Sequence, residues 1–196
     1  MKNVNSKSLL WIVLCIALAV FVVNHFYYDK QITLSYLFNY LTSSVSLITI
    51  LAIVFNRYLW KISIFHKWFV LVPNLNGKWE GNISSNWKNL EQPQQVKTFL
   101  SIKQSLSYIS CVMTTEEMKS RSITTDFKMD TDNQKLELSY IYMSEPELNF
   151  REKSPIHYGA IIFDIIKSGN DIIQLKGNYW TDRKSNGTII LDKISK

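Results

Sequence analysis

Arginine, tyrosine and threonine side chains recur at alternate positions in the second half of the sequence. We predict a ligand site from Arg121, Thr125, Tyr140, Tyr142, Tyr179, Thr181 and Arg183. Arginine pairs with phosphate oxygens, and aromatic rings stack on nucleobases. These are the groups that a cyclic nucleotide would require, so the pattern favours a binding function over a catalytic one.

This prediction depends on strand parity. Arg121 shares its parity with Thr125, and Arg183 shares its parity with Tyr179 and Thr181. If those faces point into a barrel, both arginines stand near its inner rim. The alternative is that strand-end arginines reach solvent and inward tyrosines are core residues.

Catalytic signatures are absent from the sequence. It contains no phosphate-binding loop, no nucleophile elbow and no Cys/His cluster with metal-ligand spacing. His157 is the one histidine after residue 66, and it is expected to be a surface or strand-end residue. We therefore predict a protein that is not an enzyme and needs no cofactor or metal.

The charge balance is mildly basic. The net charge is +6, and no long basic run occurs. Such an excess favours an anionic partner, either lipid head groups or a nucleotide, without demanding one. We expect no DNA or RNA polymer as a partner.

After Asn76, polar and apolar residues alternate, and this pattern is typical of half-buried β-strands. We predict eight strands at about 77–85, 95–104, 106–114, 121–129, 134–143, 157–166, 171–183 and 187–194. Asn186-Gly187 is a tight-turn pair, and the irregular segment 144–156 either covers a barrel mouth or is a plain connection.

Eight short antiparallel strands must hide their edges, and closure into a barrel removes them. The predicted fold class is therefore all-β: an eight-stranded antiparallel β-barrel of the lipocalin or avidin kind, preceded by two transmembrane α-helices.

Two long uncharged runs precede the strands, at 8–28 and 31–56. Each is long enough for a helix to cross a bilayer, which takes about 20 residues. A cleaved signal peptide competes for the first run, but cleavage after Ala19 would leave an apolar new terminus. We predict a transmembrane hairpin over 1–56, an interfacial linker over 57–73 and a ligand-binding barrel over 74–196.

The flanking charges predict the orientation of the hairpin. Lysines precede the first run and follow the second, while Lys30 in the intervening loop is balanced by Asp29. By the positive-inside rule, both termini and the barrel face the cytoplasm. The lipid bilayer is then a partner of the chain.

The second uncharged run carries a polar stripe at spacings of four and three, formed by Ser35, Asn39, Thr42, Ser46 and Thr49. Small polar residues favour contact between helices in lipid, so the stripe is either an oligomerisation seam or a pore wall. Alternatively, these hydroxyls bond back to their own helix and the stripe packs on the first helix.

Two segments carry a resemblance to a known family. The uncharged runs lead into residues 73–81, with Gly77-Lys78-Trp79 at their centre, and the chain closes with 177–183, the Gly187 turn and a last strand. This arrangement resembles the two-transmembrane, β-strand-rich effectors of CBASS, the cyclic-oligonucleotide-based antiphage signalling systems of bacteria.

The resemblance implies a function. A partner nucleotidyltransferase would sense phage and make a cyclic oligonucleotide, for which a cyclic dinucleotide is the expected form. The barrel would bind it, the effector would become a homo-oligomer, and the helices would disrupt the inner membrane, killing the cell before the phage matures. The alternative is a membrane-tethered, lipocalin-like barrel that binds an apolar small molecule.

Overall fold

The computed structural model describes residues 3–28, 33–66, 68–86, 94–130, 135–169 and 171–194. The chain divides into two compact units. One comprises Met1–Asn74 with Ser105–Tyr108, and the other comprises Leu75–Gln104 with Ile109–Lys196.

The N-terminal unit contains two long helices, α1 (Ser6–Tyr28) and α2 (Leu34–Arg57), and two short 3₁₀ turns, Leu59–Lys61 and Ser63–Phe65. Thr33 caps α2, because its hydroxyl accepts a hydrogen bond from the backbone N–H of Tyr36 at 3.3 Å. By length and composition, both helices can cross a membrane.

The two helices contact each other through aromatic side chains. The Tyr40 hydroxyl of α2 donates to the Ala17 carbonyl of α1 at 3.0 Å, and its ring meets Phe21 edge-on at a centroid distance of 5.5 Å. The side of α2 that carries Tyr40 therefore packs against α1.

The second unit is a closed β-barrel. Its strands are β1 (Gly77–Ser85), β2 (Gln94–Gln104), β3 (Ile109–Thr114), β4 (Met118–Asp130), β5 (Lys135–Pro146), β6 (His157–Ser168), β7 (Asp171–Thr181) and β8 (Asn186–Lys193). Each strand pairs antiparallel with the next, and β1 pairs with β8. The predicted fold class is confirmed.

One predicted turn is wrong. β7 ends at Thr181, and the chain reverses over 182–185, where Lys184 adopts a left-handed φ of 63°. The Thr181 N–H donates to the Ser185 carbonyl at 3.0 Å and closes this turn. Asn186-Gly187 is instead the start of β8, and Gly187 is required there because a Cβ would lie 2.1 Å from the Ser84 carbonyl oxygen.

The barrel interior is apolar at the end where β1 begins. Its fully buried side chains there include Trp79, Leu100, Leu138, Phe163, Leu175 and Leu191. Burying each such side chain stabilises the fold by about 1.5–3 kcal/mol. This end is lined by buried apolar side chains, and most of the buried polar residues of the barrel lie toward the opposite end, with Gln104 at the end of β2 as an exception.

Candidate ligand-binding site

Polar side chains ring the end of the barrel at which β1 finishes. Antiparallel pairing brings the ends of β1, β5 and β7 together with the starts of β2, β4 and β6. We call this the polar end; it comprises Ser85, Thr98, Ser120, Tyr142, Ser144, His157, Tyr179, Thr181, Arg183 and Ser185.

Arg183 is held at the polar end by two partners. One guanidinium nitrogen, Nη1, donates to the Ser154 hydroxyl at 2.8 Å, and Nη2 lies 3.3 Å from His157 Nε2. Because a guanidinium has no acceptor, Nε2 must accept, and the proton of the neutral ring sits on Nδ1, 3.0 Å from the Pro155 carbonyl. Arg183 is thereby oriented at the rim.

Burial shifts the pKa values of both Arg183 and His157. It lowers the pKa of Arg183, and it lowers the pKa of His157, with a smaller lowering from the neighbouring Arg183 charge. A partly desolvated guanidinium interacts more strongly with an anion than a solvated one does. The Arg183 guanidinium is therefore the group at the polar end that is expected to attract an anion.

Two tyrosines lie within the electrostatic reach of Arg183. Burial raises the pKa of Tyr142 and of Tyr179, and the Arg183 charge lowers both. The Tyr179 hydroxyl donates to Ser85 Oγ at 2.7 Å. Thr181 Oγ1 lies 2.7 Å from Ser185 Oγ, so hydroxyl groups continue around the rim.

The predicted parity of Arg121 with Thr125 is wrong. The register between β4 and β5 shifts between Ser122 and Thr124, and a bulge of this kind reverses the face of every residue before it. The Arg121 side chain is half exposed on the outside of the barrel, where it forms an ion pair with Glu145. It is not part of the polar end.

Thr125 and Tyr140 face inward but lie deeper. They are opposite each other in the β4–β5 register, and the Thr125 hydroxyl donates to the Ile109 carbonyl at 3.0 Å. Tyr140 is buried, with its ring 6.2 Å from that of Phe163. Of the seven predicted residues, the structure therefore brings four together at the polar end, Tyr142, Tyr179, Thr181 and Arg183.

Sequence reasoning missed the residues that orient Arg183. His157 begins β6 but is not a surface residue, since its side chain is buried. Its parity with Gly159, Ile161 and Phe163 carries the signal that it points inward. Ser154, in the segment 147–156, has no comparable signal.

The polar stripe of α2 is exposed along its whole length. The hydroxyls of Thr42, Ser46 and Thr49 donate to carbonyls of their own helix, at 3.1 Å to Phe38 and 2.8 Å to Thr42 and Val45. The stripe does not pack on α1. Its role as a seam stays a prediction.

The described residues contain no group of three or more His, Cys, Asp or Glu side chains that could hold a metal ion. Among the described residues, the polar end therefore offers the Arg183 guanidinium, the His157 imidazole, aromatic rings and hydroxyls. These groups recognise a ligand by hydrogen bonds, charge and stacking.

Comparison with known proteins supports the resemblance found in the sequence. Residues 70–193 match the family model described as "Cap15, cyclic dinucleotide receptor domain". The chain is also 26% identical over 151 residues to CD-NTase-associated protein 15 from Staphylococcus schleiferi, covering 77% of each chain. The matched region contains all eight strands and the polar end, and the chain belongs to the Cap15 family of cyclic dinucleotide receptor domains.

Proposed function

We propose that this chain is a membrane effector of CBASS antiphage defence and that the polar end of its barrel binds a cyclic dinucleotide. One observation carries the assignment of the site. Arg183 is held at the rim by His157 and Ser154, and it lies close enough to Tyr142 and Tyr179 for its charge to lower their pKa values. A cation beside two aromatic rings matches a ligand that is made of phosphates and bases.

The recognition chemistry follows from these groups. A phosphate oxygen accepts charge-assisted hydrogen bonds from the guanidinium, and these are roughly twice as strong as neutral ones. The Thr181 hydroxyl adds a neutral partner, and the tyrosine rings add stacking surfaces. Binding requires no bond to be made or broken, so the proposed effector is not an enzyme.

The alternative ligand, an apolar small molecule, would need a dry interior without cations. The other end of the barrel is lined by buried apolar side chains, and the polar end presents the Arg183 cation. This arrangement disfavours the lipocalin-like alternative.

The test uses the full chain in detergent micelles, titrated calorimetrically with symmetric 3′,3′-cyclic dinucleotides of adenine, guanine, cytosine and uracil. Arg183→Ala should weaken binding by roughly 10- to 150-fold, the value of a hydrogen bond to a charged group. Arg121→Ala is the matched control, since its side chain is on the outer face, and it should bind like the parent chain. Equal losses in both variants, or no binding by the parent, would contradict the proposal.

The rest of the proposed mechanism concerns the membrane. The charges that flank α1 and α2 support an inner-membrane hairpin with both termini and the barrel in the cytoplasm. Ligand binding shifts a conformational equilibrium by its differential affinity for the two states. We propose that the liganded state is a homo-oligomer whose helices disrupt the inner membrane.

The exposed stripe of α2 supplies the proposed contact between copies, because polar hydroxyls in lipid gain from partners on neighbouring helices. Replacing Ser35, Asn39, Thr42, Ser46 and Thr49 with leucine should abolish killing of phage-infected cells and leave ligand affinity unchanged. Unchanged killing would refute the seam, and lost ligand binding would show that the change acts on the barrel instead.

A further inference from the structure

Tyr142 lies across the neighbouring strand. It is directly opposite Gly159 in the β5–β6 register. A Cβ at Gly159 would lie 2.4 Å from both the Cζ and the hydroxyl oxygen of Tyr142, so the tyrosine occupies the space of the missing side chain. The ring of Tyr142 therefore lies along the barrel wall, over the backbone of β6.

Tyr179 repeats this arrangement two strands further on. It is directly opposite Gly187 in the β7–β8 register, and a Cβ at Gly187 would lie 2.8 Å from its Cε1. Beyond the glycine, its hydroxyl reaches Ser85 of β1 at 2.7 Å, and Ser85 is itself paired with Gly187. The side chain thus spans from β7 across β8 to β1.

The two tyrosines lean in the same direction around the barrel. In each pair the tyrosine ring occupies the space that a side chain on the opposing glycine would fill. Their strands are two positions apart, which separates the Cα atoms by about 10 Å across the sheet. They form two separate platforms, which we call the tyrosine–glycine platforms: Tyr142 on Gly159, and Tyr179 on Gly187.

We propose that each tyrosine–glycine platform binds one base of the cyclic dinucleotide, with Arg183 serving its phosphates. This inference rests on the proposed function. A cyclic dinucleotide has two bases, and base–aromatic stacking tolerates any base because every base has a π-face. Both tyrosine rings are nearly buried without ligand, so ligand binding must open the polar end. A ligand phosphate would compete with the Ser154 hydroxyl for the Arg183 guanidinium.

The test compares two ligands on the full chain in detergent micelles. One is the tightest-binding symmetric cyclic dinucleotide of the four above, and the other is the same ring with one base replaced by hydrogen. With the two-base ligand, Tyr142→Leu and Tyr179→Leu should each weaken binding by roughly 5- to 150-fold, the measured range for losing one stacked base.

With the one-base ligand, each single variant should bind within about twofold of the parent chain, because the remaining base moves to the intact platform. The double variant Tyr142→Leu/Tyr179→Leu should bind the one-base ligand roughly 5- to 150-fold more weakly, because no platform is left for its base. Equal losses for both ligands in each single variant would overturn the inference, since that is the result expected if both rings sandwich a single base.

Two controls separate stacking from folding. Tyr142→Phe keeps the ring and should retain binding of the two-base ligand, while loss of binding in that variant would contradict a stacking role. Tyr108→Leu changes an exposed tyrosine outside the barrel strands and should alter neither ligand. If the parent chain binds none of the four dinucleotides, the proposed function itself fails; if the parent binds and the leucine variants match it, this inference alone fails.

Discussion

Removing one hydroxyl from Tyr140 should stabilise the protein. Tyr140 is packed in the barrel core, and its hydroxyl has no hydrogen-bond partner among the described residues. A buried polar group left unsatisfied costs about 1–3 kcal/mol. Tyr140→Phe deletes that hydroxyl and keeps the ring against Phe163, so the free energy of unfolding should rise by about 1 kcal/mol.

Tyr179→Phe provides the matched comparison, because the same atom is deleted from a hydroxyl that donates to Ser85 at 2.7 Å. Its loss should lower the free energy of unfolding by about 1 kcal/mol. The two variants have the same composition, and their stabilities should differ by about 2 kcal/mol, with opposite signs relative to the parent chain.

Thermal unfolding of the full chain in detergent micelles, followed by near-ultraviolet circular dichroism, measures both variants. For a domain of this size, 1 kcal/mol corresponds to about 3–5 °C in Tm. If Tyr140→Phe lowers Tm as much as Tyr179→Phe does, the Tyr140 hydroxyl has a partner such as an ordered water, and the reasoning is refuted.

Three further predictions concern the barrel. Because burial lowers the pKa of His157, the unfolded state takes up a proton more readily than the folded state, and the free energy of unfolding should fall as the pH drops below about 6.5, the pKa in the unfolded chain. Above that pH the stabilising contribution of the neutral histidine is fully present. In His157→Asn this pH dependence should vanish when unfolding is measured against pH. Ser154→Ala should tighten dinucleotide binding about 2- to 10-fold in the calorimetric titration, because it removes a competitor for Arg183, and weaker binding would show that Ser154 helps the ligand instead. Gly81→Ala should lower the free energy of unfolding by about 3 kcal/mol, because its Cβ would lie 1.9 Å from the Ile190 carbonyl oxygen and would push β1 away from β8. Chemical denaturation measures this loss, and a midpoint near that of the parent chain would contradict the contact.

Alternation in the sequence predicts the eight strands because each has one buried and one exposed face. It fails at the bulge between Ser122 and Thr124, since one extra residue reverses parity without leaving a mark in the pattern. Ile123 adds to this error. It is apolar and continues the alternation of inward residues to Thr125 and Phe127, yet its side chain is exposed on the outer face. For this reason the alternation predicts an inward Arg121, whereas its side chain is on the outer face.

The inward direction of a side chain was predicted correctly where parity alone decides it, as it does for Tyr142, Tyr179 and Thr181. The predicted site could not include Ser154, because the contact of this residue with Arg183 joins an irregular segment to a distant turn. The strand assignments likewise gave no reason to pair a tyrosine with a particular glycine. That pairing depends on the register between strands, which alternation within a single strand does not contain.

The pairing of β1 with β8 leaves the described barrel without an edge strand. Open ladders are the usual route by which β-proteins polymerise, through backbone hydrogen bonds to an incoming strand. That route is closed to this barrel while it stays folded. If copies assemble as proposed with their barrels intact, contacts between the barrels are made by side chains and not by a shared β-ladder. Point substitutions on the barrel surface should then alter association, whereas changes of strand register should not.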